Sequence, residues 1–421
     1  MHVAAVAIGA MVGVGIFFTP ATLARAVPSP GWVLALWVLG GIASLTAALV
    51  FADLGARWPR AGGIYVFLRE GFGGRIGDAL SFLYGWLQLL VVQPGAMAVI
   101  AVVLVDNVAY VGGAVSPIVQ TAGACFAILA FTGANLLGLE TGGRIQIGMA
   151  ALKIGALALL VVVALGWGES TRVFSPRASP AEGGWSSWVL FGLIPILFTF
   201  GGAYHATFVA GSVRDPERSI PRGIIAGITI VLVFYLGVNV AYLALLGQTN
   251  LAATKSPAAD AIAIALGPVA GKVIAIVIIV SAAGILNTVS LGFPFVIYAM
   301  AKDGVFFARA GKLDERTGRP SLAVGLQGAI ACVAVIVGAS RIDALLTGIS
   351  FADATFFVAL AVVHLKERAA AKYSPIVSTL AFLVIEAGVA IGCLVRAPEE
   401  SAYGGAVLVA GAVAWVVWRR R

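Results

Sequence analysis

Charge is what this sequence has least of. Only 11% of its 421 residues are Asp, Glu, Lys or Arg, against about 25% in a soluble domain. Hydrophobic residues make up 61%. There is too little charge to cover an ordinary water-exposed surface, and the chain reads as a polytopic membrane protein. Histidine is scarce as well: His2, His205 and His364 are all there is. No HExxH and no GxSxG occurs, so the common metal-hydrolase and serine-nucleophile constellations have no material. The GxxxxGK[ST] phosphate loop is missing too, which excludes a self-contained ATP-driven pump. The three cysteines, Cys125, Cys332 and Cys393, lie in apolar stretches without CxxC spacing and read as small buried hydrophobes. No cofactor and no metal is expected.

What is present is apolar sequence in long runs. The length accommodates about a dozen helices of roughly 20 to 25 residues each. Twelve spans are expected, at 3–26, 31–56, 76–105, 117–138, 143–168, 185–211, 221–247, 267–300, 320–339, 343–365, 374–395 and 403–419. The N-terminal stretch has no cation before Arg25, so it reads as a first span and not as a signal peptide. With the N-terminus inside, cytoplasmic loops carry 19 of the 27 Lys and Arg residues and the opposite side 7. That asymmetry predicts a multi-pass protein of the cytoplasmic membrane with both termini cytoplasmic. It also explains the net charge of +8 without nucleic acid.

Two of the apolar runs are interrupted by glycine. The stretch IGAMVGVGIF, Ile8 to Phe17, holds Gly9, Gly13 and Gly15, and each glycine weakens a helix by about 1 kcal/mol relative to alanine. FTFGGAYHATF, Phe198 to Phe208, holds Gly201 and Gly202 near mid-span. Close helix packing is one use of such residues, and Gly9-xxx-Gly13 fits it. Their placement in spans 1 and 6 favours another. Span 6 runs opposite to span 1, as in an inverted five-plus-five repeat. The halves would be residues 1–168 and 185–365, with spans 11 and 12 appended as 374–421. Paired interrupted segments point to a transporter site. Free amides at a half-helix start attract a carboxylate, and free carbonyls at a half-helix end accept from an ammonium. A zwitterionic amino acid supplies both groups.

These motifs resemble those of the amino acid–polyamine–organocation (APC) superfamily, in particular its L-type amino acid transporter-like permeases. GAMVGVGIF is similar to that family's span 1 motif, PRAGGIYVFL (Pro59 to Leu68) to its loop after span 2, and FTFGGAY with VRDPERSIPRGI to its span 6 and following loop. SAAGILN (Ser281 to Asn287) and YAMAKDG (Tyr298 to Gly304) resemble its span 8 and exit. The resemblance implies an all-α leucine-transporter-like fold with broken helices 1 and 6. It implies that the amides of Gly13, Val14 and Gly15, with Ile16 beside them, receive a carboxylate. The carbonyls of Met11, Phe198, Thr199 and Gly201 receive the α-ammonium, and Phe200 takes the place of the aromatic gate. Asn287 on span 8 either reaches the site or bonds a neighbouring helix.

Ionisable residues inside spans mark function by default. The resemblance implies that Lys153 in span 5 replaces a sodium ion between spans 1 and 8, with Ser281 as a contact. Snorkelling to an interface is the alternative. Asp353 in span 10 is a proton acceptor, a partner of Lys153 or a counter-ion for a cationic substrate, or else faces a hydrated gap. Glu386 on span 11 reads as a structural or oligomer contact, and His205 as a packed histidine or a pH sensor. Two departures from the family pattern, Ser212 and Phe295, remove both ends of a charge pair together and imply an altered inner gate. With only Met1 and His2 before helix 1, its inner half is expected to be short.

The function expected is sodium-independent secondary transport of an α-amino acid, by exchange or proton symport. No acid lies in the breaks themselves, which leans toward a neutral substrate. Asp353 keeps a cationic amino acid or polyamine open. A channel would need pore-lining rings and symmetry, and an intramembrane enzyme a clustered set of ligands or a nucleophile with its base. The expected partners are the amino acid and the lipid bilayer. No obligate protein partner is expected, in a monomer or homodimer, because no cysteine lies in an outer loop.

Overall fold

The computed structural model describes residues 8–9, 11–60, 62–138, 143–175, 184–204, 215–338 and 342–419. Regular structure among them is entirely helical. The helices are α1 Gly15–Ala26, α2 Pro30–Arg57, α3 Ile64–Phe72, α4 Gly74–Leu87, α5 Gln93–Gly112, α6 Pro117–Leu136, α7 Gly143–Trp167, α8 Ser170–Phe174 and α9 Trp185–Phe200. After them come α10 Pro216–Ala253, α11 Pro257–Leu266, α12 Pro268–Lys302, α13 Ser321–Gly338, α14 Ile342–Lys366, α15 Ile376–Arg396 and α16 Pro398–Arg419. Proline opens α2, α6, α10, α11, α12 and α16, at the position where its missing N–H costs nothing and its fixed φ already suits a helix. Gly113 (φ 109°) and Gly267 (φ 91°) end α5 and α11 in a backbone conformation that other residues rarely adopt.

Nine helical segments among the described residues are long and apolar enough to cross a membrane. Their exposed faces carry Phe126, Val233, Val337 and Val384 at 68 to 74% exposure, an apolar surface that suits lipid and not water. The chain is therefore a multi-pass membrane protein. Twelve spans were expected; the other three are α7, which enters the count only over Ala151–Trp167, and the two shortened helices α1 and α9. α1 is only 12 residues long because span 1 breaks at residues 12–14. α9 stops at Phe200 and passes into a 3-10 turn, Gly201–Tyr204. The interruptions that glycine implied are thus both present. Three helices were not expected: α3, α8 and α11 lie in predicted loops.

Helices α1 and α9 pack on each other and on α2, which also packs along α10. α5 lies against α12, and α6 against α13. α14 packs against α15, and α15 returns to α2. Between α4 and α5 the chain makes one π-helical turn, Gln88–Val92, a feature frequent at functional sites.

One end of the bundle is held by polar contacts. Arg69 on α3 bridges Asp303 at 3.0 Å and Asp78 at 3.3 Å, and the Tyr65 hydroxyl donates to Asp303. Burial, and then Asp303 beside it, push the Tyr65 phenol above its ordinary range, so it remains a donor. Asp53 on α2 accepts from the backbone N–H groups of Lys372, Tyr373 and Ser374 at 2.7 to 2.9 Å. Its other neighbour is His364 Nε2 at 3.1 Å, and His364 Nδ1 meets Thr379 Oγ1 at 3.0 Å. This buried cluster pins the α14–α15 turn to α2.

Candidate functional site

A cavity of about 150 Å³ lies between the two breaks. On one side it is lined by Met11, Gly13, Val14 and Gly15 of span 1 and by Phe198, Thr199, Gly201 and Gly202 of span 6. α12, α14 and α15 close the other side with Ile285, Val289, Asp353, Phe357 and Glu386, and Gln93 enters from α5. Segments far apart in sequence thus meet around one space.

The span 1 side is largely main chain. Val14 caps α1, and Gly15 and Ile16 open its first turn, where amides have no preceding helical carbonyl to bond. The Gly13 amide donates to the Met11 carbonyl at 2.6 Å and so already has a partner. The Met11 carbonyl also accepts from the buried Tyr235 hydroxyl at 2.8 Å. Across the cavity the Phe198 carbonyl accepts from the Gly201 amide as α9 closes. The two broken helices meet through their threonines: Thr19 Oγ1 and Thr199 Oγ1 lie 2.8 Å apart, and Thr199 donates to the Pro195 carbonyl at 2.7 Å. Gly15 is required by this approach, since a Cβ there would sit 2.6 Å from Thr199 Oγ1.

Several expected site residues lie elsewhere. Ile16 is fully buried and does not line the cavity. Phe200 is 2% exposed and turned into the core, with ring centroids 5.3 Å from Tyr235 and 6.1 Å from Trp37. The aromatic of span 6 that faces the cavity is Phe198, two residues earlier and on the opposite side of the helix. Asn287 faces α6 instead: Asn135 Nδ2 donates to its Oδ1 at 3.1 Å, and Arg319 donates to Asn135 at 2.8 and 3.0 Å. His205 and Ser212 fall outside the described residues, and Phe295 is 40% exposed on the outer face of α12.

Lys153 is 5% exposed, and its Nζ donates to the Gly9 carbonyl at 2.9 Å. Gly9 belongs to the helical stretch before the span 1 break, where the partial negative charge of a helix end favours a cation. Neither expected side-chain partner is used. Ser281 Oγ is buried and makes no hydrogen bond, and Asp353 Oδ1 accepts from Gln88 Nε2 at 2.7 Å. Gln88 Oε1 in turn accepts from Gln93 Nε2 at 2.9 Å. The π turn lies between these two glutamines and presents both toward α14.

Glu386, read from the sequence as a structural or oligomer contact, lies instead in the cavity wall. It is 6% exposed, and its side chain lines the cavity together with Asp353. The one signal available was an acid at the centre of an apolar span, in LVIEAGV.

Comparison with known proteins follows the same line. A family model described as amino acid permease matches residues 1–417. The serine/threonine exchanger SteT of Bacillus subtilis is 28% identical over 336 residues, 78% of this chain and 74% of that one. The human b(0,+)-type amino acid transporter 1 is 26% identical over 361 residues, covering 83% and 71% respectively. The human large neutral amino acids transporter small subunit 2 is 28% identical over 271 residues, or 60% and 48%. All three are named as transporters or exchangers.

Proposed function

The chain belongs to the amino acid permease family, and from that premise we propose a sodium-independent carrier of neutral α-amino acids. It works by alternating access, with the inverted halves 1–168 and 185–365 rocking about the cavity. It resides in the cell membrane with both termini cytoplasmic, which the Lys and Arg distribution supports.

The observation that carries this reading is one cavity bordered by both helix breaks. The first-turn amides of α1 receive the substrate carboxylate, as helix N-termini receive anions. The carbonyls at the end of α9, Phe198, Thr199 and Gly201, accept from the α-ammonium, since the Met11 carbonyl already takes the Gly13 amide and the Tyr235 hydroxyl. Phe198 covers the substrate. These contacts read only the part common to all α-amino acids, so side-chain preference comes from the opposite wall. The names of the serine/threonine exchanger and of the large neutral amino acid transporter subunit support a neutral substrate. Lys153 at Gly9 supports independence from sodium, because its ammonium brings a fixed positive charge to the span 1 break. Coupling is by exchange or by proton symport. The carrier acts as a monomer or homodimer without an obligate protein partner.

A second reading, a cationic amino acid or polyamine held by Asp353, is favoured by the place of Asp353 in the cavity wall. Uptake of radiolabelled amino acids into proteoliposomes, with and without sodium, tests both. Saturable sodium-independent uptake of a neutral amino acid is the expected result. Sodium dependence removes the role given to Lys153, and preference for lysine or a diamine selects the second reading.

A further inference from the structure

Glu386 is the buried group that amino acid binding leaves without a task. Its side chain is 6% exposed, lines the cavity, and has no hydrogen-bond or ion-pair partner among the described residues. Asp353 lines the same cavity and lies within electrostatic range of it. Asp353 is held differently. The amide chain from Gln93 through Gln88 delivers a donor to its Oδ1.

Among the described residues no cation lines the cavity to balance the two acids. Among the described residues, Asp353 and Glu386 are the only titratable side chains that line the cavity. Charged groups on the elements packed against α14 and α15 are engaged elsewhere. Asp53 meets His364, Arg57 meets Glu367, and Lys366 donates to the Gly71 carbonyl. On α3, Arg69 bridges Asp303 and Asp78, and on α5 Asp106 accepts from Gln120. Lys153 is bound at Gly9. Two carboxylates that line one small cavity resist being ionised together. Such a dyad keeps one proton and one negative charge. A neutral zwitterion brings no net charge to offset it.

We propose that Asp353 and Glu386 form a proton-carrying dyad that retains one proton and takes up a second when a neutral amino acid is occluded. The inference rests on the carrier reading above. Closure over substrate removes water from the cavity, and the lone negative charge then becomes too costly to keep. A proton from the side of entry bonds to a carboxylate oxygen. When the cavity opens to the other side, water returns, that O–H bond breaks, and the proton leaves with the substrate. The empty carrier returns with its cavity wet and the dyad singly protonated. The dyad is therefore a coupling site, and Glu386 is one half of it.

The test uses the full chain in proteoliposomes that enclose a pH-sensitive dye, with radiolabelled neutral amino acid added outside at equal pH. Uptake is expected to acidify the lumen by about one proton per amino acid, as symport at a midplane carboxyl requires. In the double variant Asp353→Asn with Glu386→Gln no cavity carboxyl remains, and whatever uptake persists is expected to carry no proton, a ratio independent of residual rate and of expression; each single variant keeps one lone carboxylate and is expected still to carry a proton. Neutral uptake without acidification in the unaltered protein overturns the dyad and leaves the carrier reading intact. Acidification that persists in the double variant overturns it as well. A preference for lysine with no proton moved identifies a site for a substrate ammonium instead, and also overturns it. Absence of any amino acid uptake overturns the carrier reading, and the dyad with it.

Discussion

The two walls of the cavity are built on opposite principles. On one side, broken helices offer backbone groups, and side chains mostly stay out of the way: Gly13, Val14, Gly15 and Gly201. On the other, intact helices offer side-chain carboxyls, Asp353 and Glu386, supported by two glutamines. The first wall suits what every α-amino acid shares. The second holds chemistry that backbone cannot supply, a site whose charge changes with a proton. A carrier that must both hold a substrate and respond to a gradient gains from separating these tasks, because a change in one wall leaves the other's geometry alone.

The largest effect expected on this comparison comes from unpinning the acidic wall. Asp53 takes three backbone N–H groups of the α14–α15 turn and faces His364. Asp53→Ala leaves the buried Ser374 donor and the buried His364 without their acceptor and frees the outer Lys372 and Tyr373 amides, and stability should fall by about 3 to 5 kcal/mol, read as a lowered melting temperature in detergent. Equal melting temperatures would show that α2 does not hold this wall. Next is the core behind the backbone wall. Phe200→Ala removes a ring packed on Trp37 and Tyr235 and should lower stability by about 3 kcal/mol. Phe198→Ala should instead weaken substrate affinity with little change in melting temperature, since Phe198 borders open space. The reverse pattern would restore Phe200 as the gate.

Smaller effects test the backbone wall itself. Gly15→Val places carbon on Thr199, 2.6 Å from its Oγ1 for the Cβ alone. Uptake should fall about a hundredfold if the amides are displaced by roughly an ångström. Near-normal uptake would argue against binding at the α1 amides. Lys153→Met removes the cation at Gly9, and apparent affinity should weaken about tenfold, the size of a typical coupling between sites. Unchanged affinity, measured by concentration dependence of uptake, would leave Lys153 with a purely structural role.

Much of the backbone wall was legible in the chain. Gly9, Gly13, Gly15, Gly201 and Gly202 announce weak helix where lipid forbids it, and local propensity is enough to read that. The partners of those breaks were not legible. Lys153 was expected near Ser281, yet it bonds the Gly9 carbonyl, because a free carbonyl at a helix break leaves no trace in residue type. Phe198 and Phe200 are both aromatic and two residues apart, so composition could not say which faces the cavity. Helical rotation did: two residues turn a side chain about 200° around the axis. Asn287 fits a site as well as a helix contact, and only its neighbour Asn135 on α6 decided.

The acidic wall was legible only in part. Asp353 stood out as an acid in span 10. Glu386 stood out equally, but α15 lies beyond the inferred repeat, and nothing in the linear chain brings it to the centre. The sequence by itself determined a polytopic helical membrane protein, with two helices broken by glycine. Those properties follow from hydropathy, local propensity and charge, which act over a few residues. The tertiary structure decided which buried groups meet: Lys153 with Gly9, Asp53 with His364, and Asp353 with Glu386 across one cavity. Such meetings depend on the rotation and approach of helices remote in sequence, and their physical reason is packing over distances that no local pattern encodes.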